Sequence, residues 1–182
     1  MRIVLDTCVL FPTVMREMLL GAARLGHFSP LWSARILEEW ARAAVKLGPT
    51  GEMQARGEIA LLRSDWPQAE LSPAPGVEMR LWLPDPADIH VLAVAVSGSA
   101  DAIMTLNAKD FPRNALAEQD LIRVDPDSFL HGAWLADPAG LEHLGARVLA
   151  EANRLSGGKW QMRPLLKKAR LPRLAKALGT PP

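Results

Sequence analysis

The chain has 182 residues, of which 49% are hydrophobic and 23% charged, a composition typical of a globular protein that folds without disulfides. Its single cysteine, Cys8, excludes an intrachain disulfide and indicates a reducing compartment. No segment approaches the roughly 18 uninterrupted apolar residues of a membrane-spanning helix. Asp6 interrupts the first apolar run too early for a signal peptide, so we expect a cytoplasmic protein.

The net charge of +1 is unevenly distributed along the chain. Residues 151–182 contain eight basic residues and one acidic residue, whereas residues 1–150 carry a net charge of −6. A basic tail on an acidic body is typical of proteins that bind a polyanion or an acidic protein partner. A solvated helix whose charges are one-sided by chance is the alternative interpretation.

The first half of the chain alternates short apolar runs with helical patterns, each bounded by a capping residue or a helix breaker. Ser33 is a suitable N-cap for one of these helices. The predicted elements are a buried strand at 2–5, a helix within 13–25, a short apolar element at 28–32, helices at 34–47 and 51–63, a loop at 67–76, and a segment at 77–83 for which a strand is one option.

The second half begins with the same alternation and ends in helices alone. The predicted elements are a helix at 86–97, a strand at 102–106, a short helix at 112–118, a strand at 121–124, and helices at 127–135, 139–154 and 163–178, the last interrupted by Pro172. Strands that alternate with helices predict a parallel sheet covered by helices. Ligands of such folds bind outside the carboxyl ends of the strands.

Several acidic residues fall at strand ends or helix starts, namely Asp6, Glu38 or Glu39, Asp85 or Asp88, and Asp110. If the fold brought them together, they would repel one another unless a divalent cation were bound. Oxygen ligands favour Mg²⁺ or Mn²⁺, and the four histidines lack zinc-motif spacing. Taken singly, each acid has another interpretation as a helix cap or a solvated group. Asp6 is the hardest to explain as a helix cap or a solvated group, because a carboxylate after a buried strand is costly without a partner.

Three segments in this order resemble the PIN-domain family, and in particular the VapC-type toxin ribonucleases: IVLDTCVL, SARILEEW and DPADIHVLAVAVSGSADAIMTLNAKDFP. The resemblance implies an α/β fold of three layers, with a central parallel sheet flanked by helices, over residues 1–125. Residues 126–182 are similar to the helical C-terminal extension of some longer VapC-like proteins. We therefore expect two domains, a PIN-like nuclease domain and a helical extension with a basic tail.

The resemblance also implies roles for individual residues. It favours Glu39 over Glu38 and Asp88 over Asp85, so that the expected catalytic metal ligands are Asp6, Glu39, Asp88 and Asp110. Thr7, Asp85 and Asn107 are expected to support these ligands from outside. One position departs from the family, which commonly has asparagine where this chain has Cys8. We interpret Cys8 as a small buried hydrophobe, and His90 as a helix-surface or packing residue.

The function implied by the resemblance is that of a metal-dependent endoribonuclease with Mg²⁺ or Mn²⁺, acting on RNA and forming the toxin half of a toxin–antitoxin pair. A homodimer and an antitoxin partner are expected with it. The residues expected to bind RNA phosphates are Arg16, Lys109, Arg113, Lys167, Lys168 and Arg170. The alternative is a catalytically weak PIN-fold protein that binds RNA or acts as a scaffold. A phosphatase of the haloacid dehalogenase type is disfavoured, because Cys8 stands where its second aspartate would be.

Overall fold

The computed structural model describes residues 1–179, so the last three residues of the predicted extension lie outside the described part. Four short strands, β1 (Arg2–Leu5), β2 (Ser29–Leu31), β3 (Ala102–Met104) and β4 (Ile122–Val124), form one sheet in the order β2-β1-β3-β4. All three strand pairs are parallel. Helices flank this sheet and make up the C-terminal region, which confirms the predicted α/β class.

Ten α-helices accompany the four strands in the described residues. In chain order they are α1 (Thr7–Leu10), α2 (Thr13–Arg24), α3 (Ala34–Ala43), α4 (Gly51–Asp65), α5 (Ile89–Ser97), α6 (Arg113–Ala117), α7 (Pro126–Ala136), α8 (Pro138–Ser156), α9 (Met162–Lys168) and α10 (Pro172–Leu178). None of these helices has both the length and the apolar composition needed to cross a membrane.

The described residues fall into two compact units. The first consists of residues 1–11 and 29–124, and the second of residues 12–28 together with the chain from 125 onward. The second unit therefore groups α2 with the C-terminal helices. The predicted domain boundary between residues 125 and 126 remains a prediction, because this grouping does not test which segment folds independently.

Burial along β1 explains why its sequence is apolar from Ile3 to Leu5. Ile3, Val4 and Leu5 are fully buried. Because successive residues of a strand face opposite sides of the sheet, both faces of β1 must be covered. The helix α5 is similar, since every residue from His90 to Ala95 is buried. An element that is apolar on all sides belongs in the interior, and this places Leu5 and the middle of α5 in the core of the first unit.

Helix boundaries follow the capping residues. The Ser33 side chain accepts a hydrogen bond from the backbone N–H of Ile36, so Ser33 is the N-cap of α3, as predicted. The predicted helix at 163–178 is divided into α9 and α10, because Pro172 cannot continue a helix. Between them, Arg170 adopts a left-handed backbone conformation with φ of 60°.

The segment at 77–83 does not form a strand. Its centre, Glu78–Arg80, is a 3₁₀ turn whose three residues are all exposed. Three exposed residues in succession cannot present one side to a core, which a half-buried strand would require. The chain becomes extended only at Leu81, just before the acidic residues of the candidate site.

Candidate metal centre

The candidate site lies in the first unit, at the carboxyl ends of β1 and β3. Asp6 directly follows β1, and its backbone N–H donates to the carbonyl of Met104 over 3.1 Å. Thr105 and Asn107 follow β3 in the same way. Since neighbouring parallel strands end at the same edge of a sheet, the side chains that follow them are brought together, even though Asp6 and Thr105 are far apart in the sequence.

Three carboxylates form a compact acidic cluster, Asp85, Asp88 and Asp110, in which one oxygen from each lies within 4.8 Å of the others. Asp88 is the N-cap of α5, and Asp85 is the N-cap of the 3₁₀ turn Pro86–Asp88 that precedes it. The Asp85 side chain accepts a hydrogen bond from the backbone N–H of Ala87 over 2.9 Å. Asp85 therefore caps the turn, and it also belongs to the cluster.

The electrostatics of Asp88 reflect this crowding. Burial raises the pKa of its carboxyl to about 6, and the negative charges of Asp6, Asp85 and Asp110 add to the effect. A carboxylate with three like charges nearby resists ionisation until a cation compensates them. The oxygen donors and the unfavourable charge of the site both fit Mg²⁺ or Mn²⁺.

Asn107 links two members of the cluster. Its side-chain amide donates to Asp110 Oδ2 over 2.7 Å and lies 3.4 Å from Asp88 Oδ2, the longer contact being the weaker one. The backbone N–H of Asp110 points back to Asn107 Oδ1 over 3.4 Å. Asn107 thus holds the loop after β3 against the start of α5, and its supporting role at the metal stays a prediction.

Asp6 is nearly buried, with 7% of its surface exposed. Its Oδ2 accepts a hydrogen bond from the Thr105 hydroxyl over 2.6 Å and another from the Cys8 thiol over 3.0 Å. Thr105 was not singled out by the sequence analysis, although it begins the segment TLNAKD that contains Asn107 and Asp110. Its hydroxyl satisfies a carboxylate that would otherwise be costly to bury.

Cys8 does more than fill space, which corrects its interpretation as a small hydrophobe. Its sulfur lies within hydrogen-bonding distance of Asp6, Thr105 and the backbone N–H of Leu106. Burial, together with the charge of Asp6, raises the pKa of the thiol to about 12. The thiol therefore stays protonated at neutral pH, where it donates to Asp6 and is a poor nucleophile.

Glu39 lies on α3 and is attached to the same region through Thr7. The Thr7 hydroxyl donates to Glu39 Oε2 over 3.0 Å. On its other side, Glu39 Oε1 lies 2.9 Å from His90 Nε2 and 3.5 Å from Arg35 Nε. Partial burial opposes ionisation of Glu39, but His90, Thr7 and Arg35 outweigh burial and keep the pKa of Glu39 below its ordinary value.

His90 is buried, with 2% of its side chain exposed, so it is a packing residue rather than a surface one. Its Nε2 is close enough to Glu39 for an ion pair, but the ring N–H does not point at the carboxylate as a hydrogen bond requires. The contact is an ion pair only when the imidazole is protonated. Glu38, the neighbour of Glu39, faces elsewhere and pairs with Arg42 and Arg56 at the surface.

The structure thus brings Asp85, Asp88 and Asp110 together most closely. Asp6 acts on Asp88 through its charge, and Glu39 joins the site through Thr7 and His90. Neither Asp6 nor Glu39 is part of the compact acidic cluster. The assignment of Asp6, Glu39, Asp88 and Asp110 as the metal ligands stays a prediction, and the position of Asp85 makes it a further candidate.

The residues expected to bind RNA differ in exposure. Lys109 and Arg113 are exposed in the first unit, and Lys167, Lys168 and Arg170 are exposed in the second. Lys168 Nζ lies 4.9 Å from the ring centroid of Trp160. Arg16 is only 3% exposed and lies 3.9 Å from Glu17, so its side chain is not available to a phosphate at the surface.

Comparison with known proteins adds one finding. The family model for the PIN domain matches residues 2–109, more than half of the chain. The matched segment contains both strands that meet at the site, together with Asp6, Glu39, Asp85 and Asp88, and it ends one residue before Asp110. No curated protein and no solved structure is significantly similar to the chain.

Proposed function

The chain belongs to the PIN-domain family, and on this premise we propose that it is a metal-dependent endoribonuclease that hydrolyses RNA phosphodiester bonds. Proteins of this family are in general metal-dependent nucleases. The observation that carries the proposal is the compact acidic cluster of Asp85, Asp88 and Asp110 at the carboxyl ends of parallel strands, with Asp6 close enough to raise the pKa of Asp88.

The acidic residues of the proposed site and their neighbours have different roles. Asp88 and Asp110, with Asp85 or Asp6, would hold Mg²⁺ or Mn²⁺ through carboxylate oxygens. A divalent cation bound there would supply activation of water and neutralisation of charge on the phosphate. Thr105 and Cys8 fix the orientation of Asp6, and Asn107 fixes that of Asp110. Thr7 holds the Glu39 carboxylate toward the same edge of the sheet.

RNA binding needs positive charge outside the acidic pocket, because the pocket alone repels a phosphate backbone. We propose Lys109 and Arg113 for the first unit and Lys167, Lys168 and Arg170 for the second, all of them exposed. Arg16 is left out because it is buried. The finer parts of the proposal are the toxin role, an antitoxin partner, a homodimer and a cytoplasmic location, and they rest on the similarity to VapC-type proteins.

A nuclease assay on a panel of short RNAs tests the core of this proposal. We expect cleavage with Mg²⁺ or Mn²⁺ and none after chelation. Glu39→Gln should reduce cleavage strongly, whereas Glu38→Gln is a matched control on the same helix turn, because Glu38 forms surface ion pairs instead. RNA binding without cleavage in any divalent metal would favour the alternative of a catalytically weak RNA-binding protein, for which Cys8 in the place of asparagine is the supporting observation.

A further inference from the structure

Two large apolar side chains near the acidic cluster, Met79 and Trp82, are exposed to solvent. Trp82 is 66% exposed, whereas the other five tryptophans, all within the described residues, are buried or half-buried. The backbone is extended at Leu81, and Leu83 is only 1% exposed. Because side chains alternate along an extended segment, burial of Leu83 turns the neighbouring indole outward.

Trp82 is close to the candidate metal centre. It precedes Asp85 by three residues, so their Cα atoms are at most about 11 Å apart. Arg35 attaches the surrounding segment to α3, since its guanidinium lies 3.9 Å from Glu78 and 3.4 Å from the carbonyl of Ala87. The indole is therefore carried by a segment fixed on both sides at the edge of the site.

We propose that Trp82 is a stacking platform for one unpaired nucleobase of the RNA strand, adjacent to the bond that is cleaved. This inference rests on the proposed function. A base offers a neutral, flat face, so that stacking on an indole holds the strand without bringing another phosphate to the acidic cluster. The exposed Arg80, two residues before Trp82, is suited to a phosphate next to the stacked base.

A second copy of the chain is the competing occupant of this surface. Met79 is an exposed apolar neighbour, but Glu78, Arg80 and Asp85 are charged and exposed, and they argue against a second copy. The cores of protein interfaces are depleted in charged residues, whereas sites for single-stranded nucleic acid combine aromatic rings with basic side chains. Arg80, which is basic and lies two residues before the exposed indole, matches the second pattern.

Binding of a fluorescently labelled single-stranded RNA tests the inference, with Ca²⁺ replacing Mg²⁺ to slow cleavage. Trp82→Ala should weaken binding roughly 5- to 150-fold, and Trp82→Phe should retain most of the affinity because phenylalanine still offers a ring. The slope of affinity against salt should not change, since stacking releases no counterions. Met53→Ala, which removes another exposed apolar side chain of the first unit, is the matched control.

Abasic substitution identifies the stacked nucleotide. Removing one base near the cleaved bond should weaken binding to the wild-type protein and have little further effect on Trp82→Ala. Equal RNA affinity of Trp82→Ala and the wild type would overturn the inference. If sedimentation also showed that the substitution changes the molar mass of the protein, Trp82 would be assigned to contact with a second copy. If the wild type and Trp82→Ala bind RNA with equal affinity and both cleave it, only the stacking role is refuted. If RNA binding depends on Trp82 but no cleavage occurs, only the nuclease activity is refuted.

Discussion

Replacing Asp88 with asparagine should make the metal-free protein more stable at neutral pH, although it removes a group from the candidate active site. The reason is that burial and the charges of Asp6, Asp85 and Asp110 raise the pKa of this carboxyl from 3.8 to about 6. The folded protein thus binds the Asp88 proton more tightly than the unfolded chain does. The ionised carboxylate lowers the free energy of unfolding, and asparagine removes that charge with little change in volume.

The pH dependence follows from the direction of this shift. Below about pH 4, Asp88 is protonated in both states and costs no stability. As the pH rises through the interval from about 4 to 6, the unfolded chain ionises more readily than the folded one, and stability falls. Above about pH 6, the full loss of stability caused by the ionised Asp88 remains. Wild type and Asp88→Asn should therefore have similar stability in acid and differ increasingly toward neutral pH.

The magnitude can be bounded. At 1.36 kcal/mol per pKa unit, the shift would correspond to ~3 kcal/mol for a fully buried carboxyl. Asp88 is only half-buried, and solvent screening reduces the figure to about 1 kcal/mol. For a chain of this size, that is a rise in Tm of roughly 2–4 °C.

Thermal unfolding in a chelating buffer, measured at several pH values for both proteins, checks this prediction. Added Mg²⁺ should raise the Tm of the wild type more than that of the variant, because the ligand stabilises only a site that binds it. Glu142→Gln is a suitable control, since Glu142 is an exposed residue of α8 in the second unit. A variant that is less stable than the wild type at neutral pH without metal would refute the reasoning, because Asp88 would then form favourable contacts rather than suffer repulsion.

Three further predictions concern other parts of the molecule. Asp6→Asn should nearly abolish RNA cleavage with the far-ultraviolet circular dichroism unchanged, and wild-type activity in Mg²⁺ would disprove the role of Asp6. Cys8 should resist alkylation by iodoacetamide in the folded protein at neutral pH and react after denaturation, because its thiol pKa is raised to about 12; rapid labelling of the folded protein would contradict this. Changing Lys167, Lys168 and Arg170 together to glutamine should flatten the slope of log affinity against log salt by about two units if all three contact single-stranded RNA, whereas an unchanged slope would remove them from the RNA surface.

The sequence was most informative where one local pattern determined the structure. The apolar run before Asp6 and the apolar helix that follows Asp88 had to be buried, and burial fixed the acids at their ends at one edge of the sheet. Ser33 likewise determined the start of α3, and hence the turn on which Glu39 lies. These features depend on periodicity and capping, which a single sequence records directly.

The sequence was less informative where the role of a residue depends on where its side chain points rather than on its place in the chain. Asp85 was expected only to support the site, yet the 3₁₀ turn Pro86–Asp88 brings its carboxylate within 4.8 Å of those of Asp88 and Asp110. Thr105 has no charge and no motif of its own, and its importance appears only when β3 pairs with β1 and places its hydroxyl on Asp6. Pairing between distant strands cannot be inferred from local pattern alone.

The pairing of β1 with β3 also determines when the acidic pocket can exist during synthesis. Ile3 pairs with Ala102, so the strand that ends at Asp6 must wait for a partner 99 residues later in the chain. At typical rates of translation, that delay is roughly 5 to 20 s. A nascent chain that ends before Ala102 cannot pair β1 with β3 and has no assembled site. The proposed nuclease activity would therefore begin only after most of the first unit has left the ribosome. The parallel topology thus sets a minimum length below which a truncated product should lack the proposed nuclease activity.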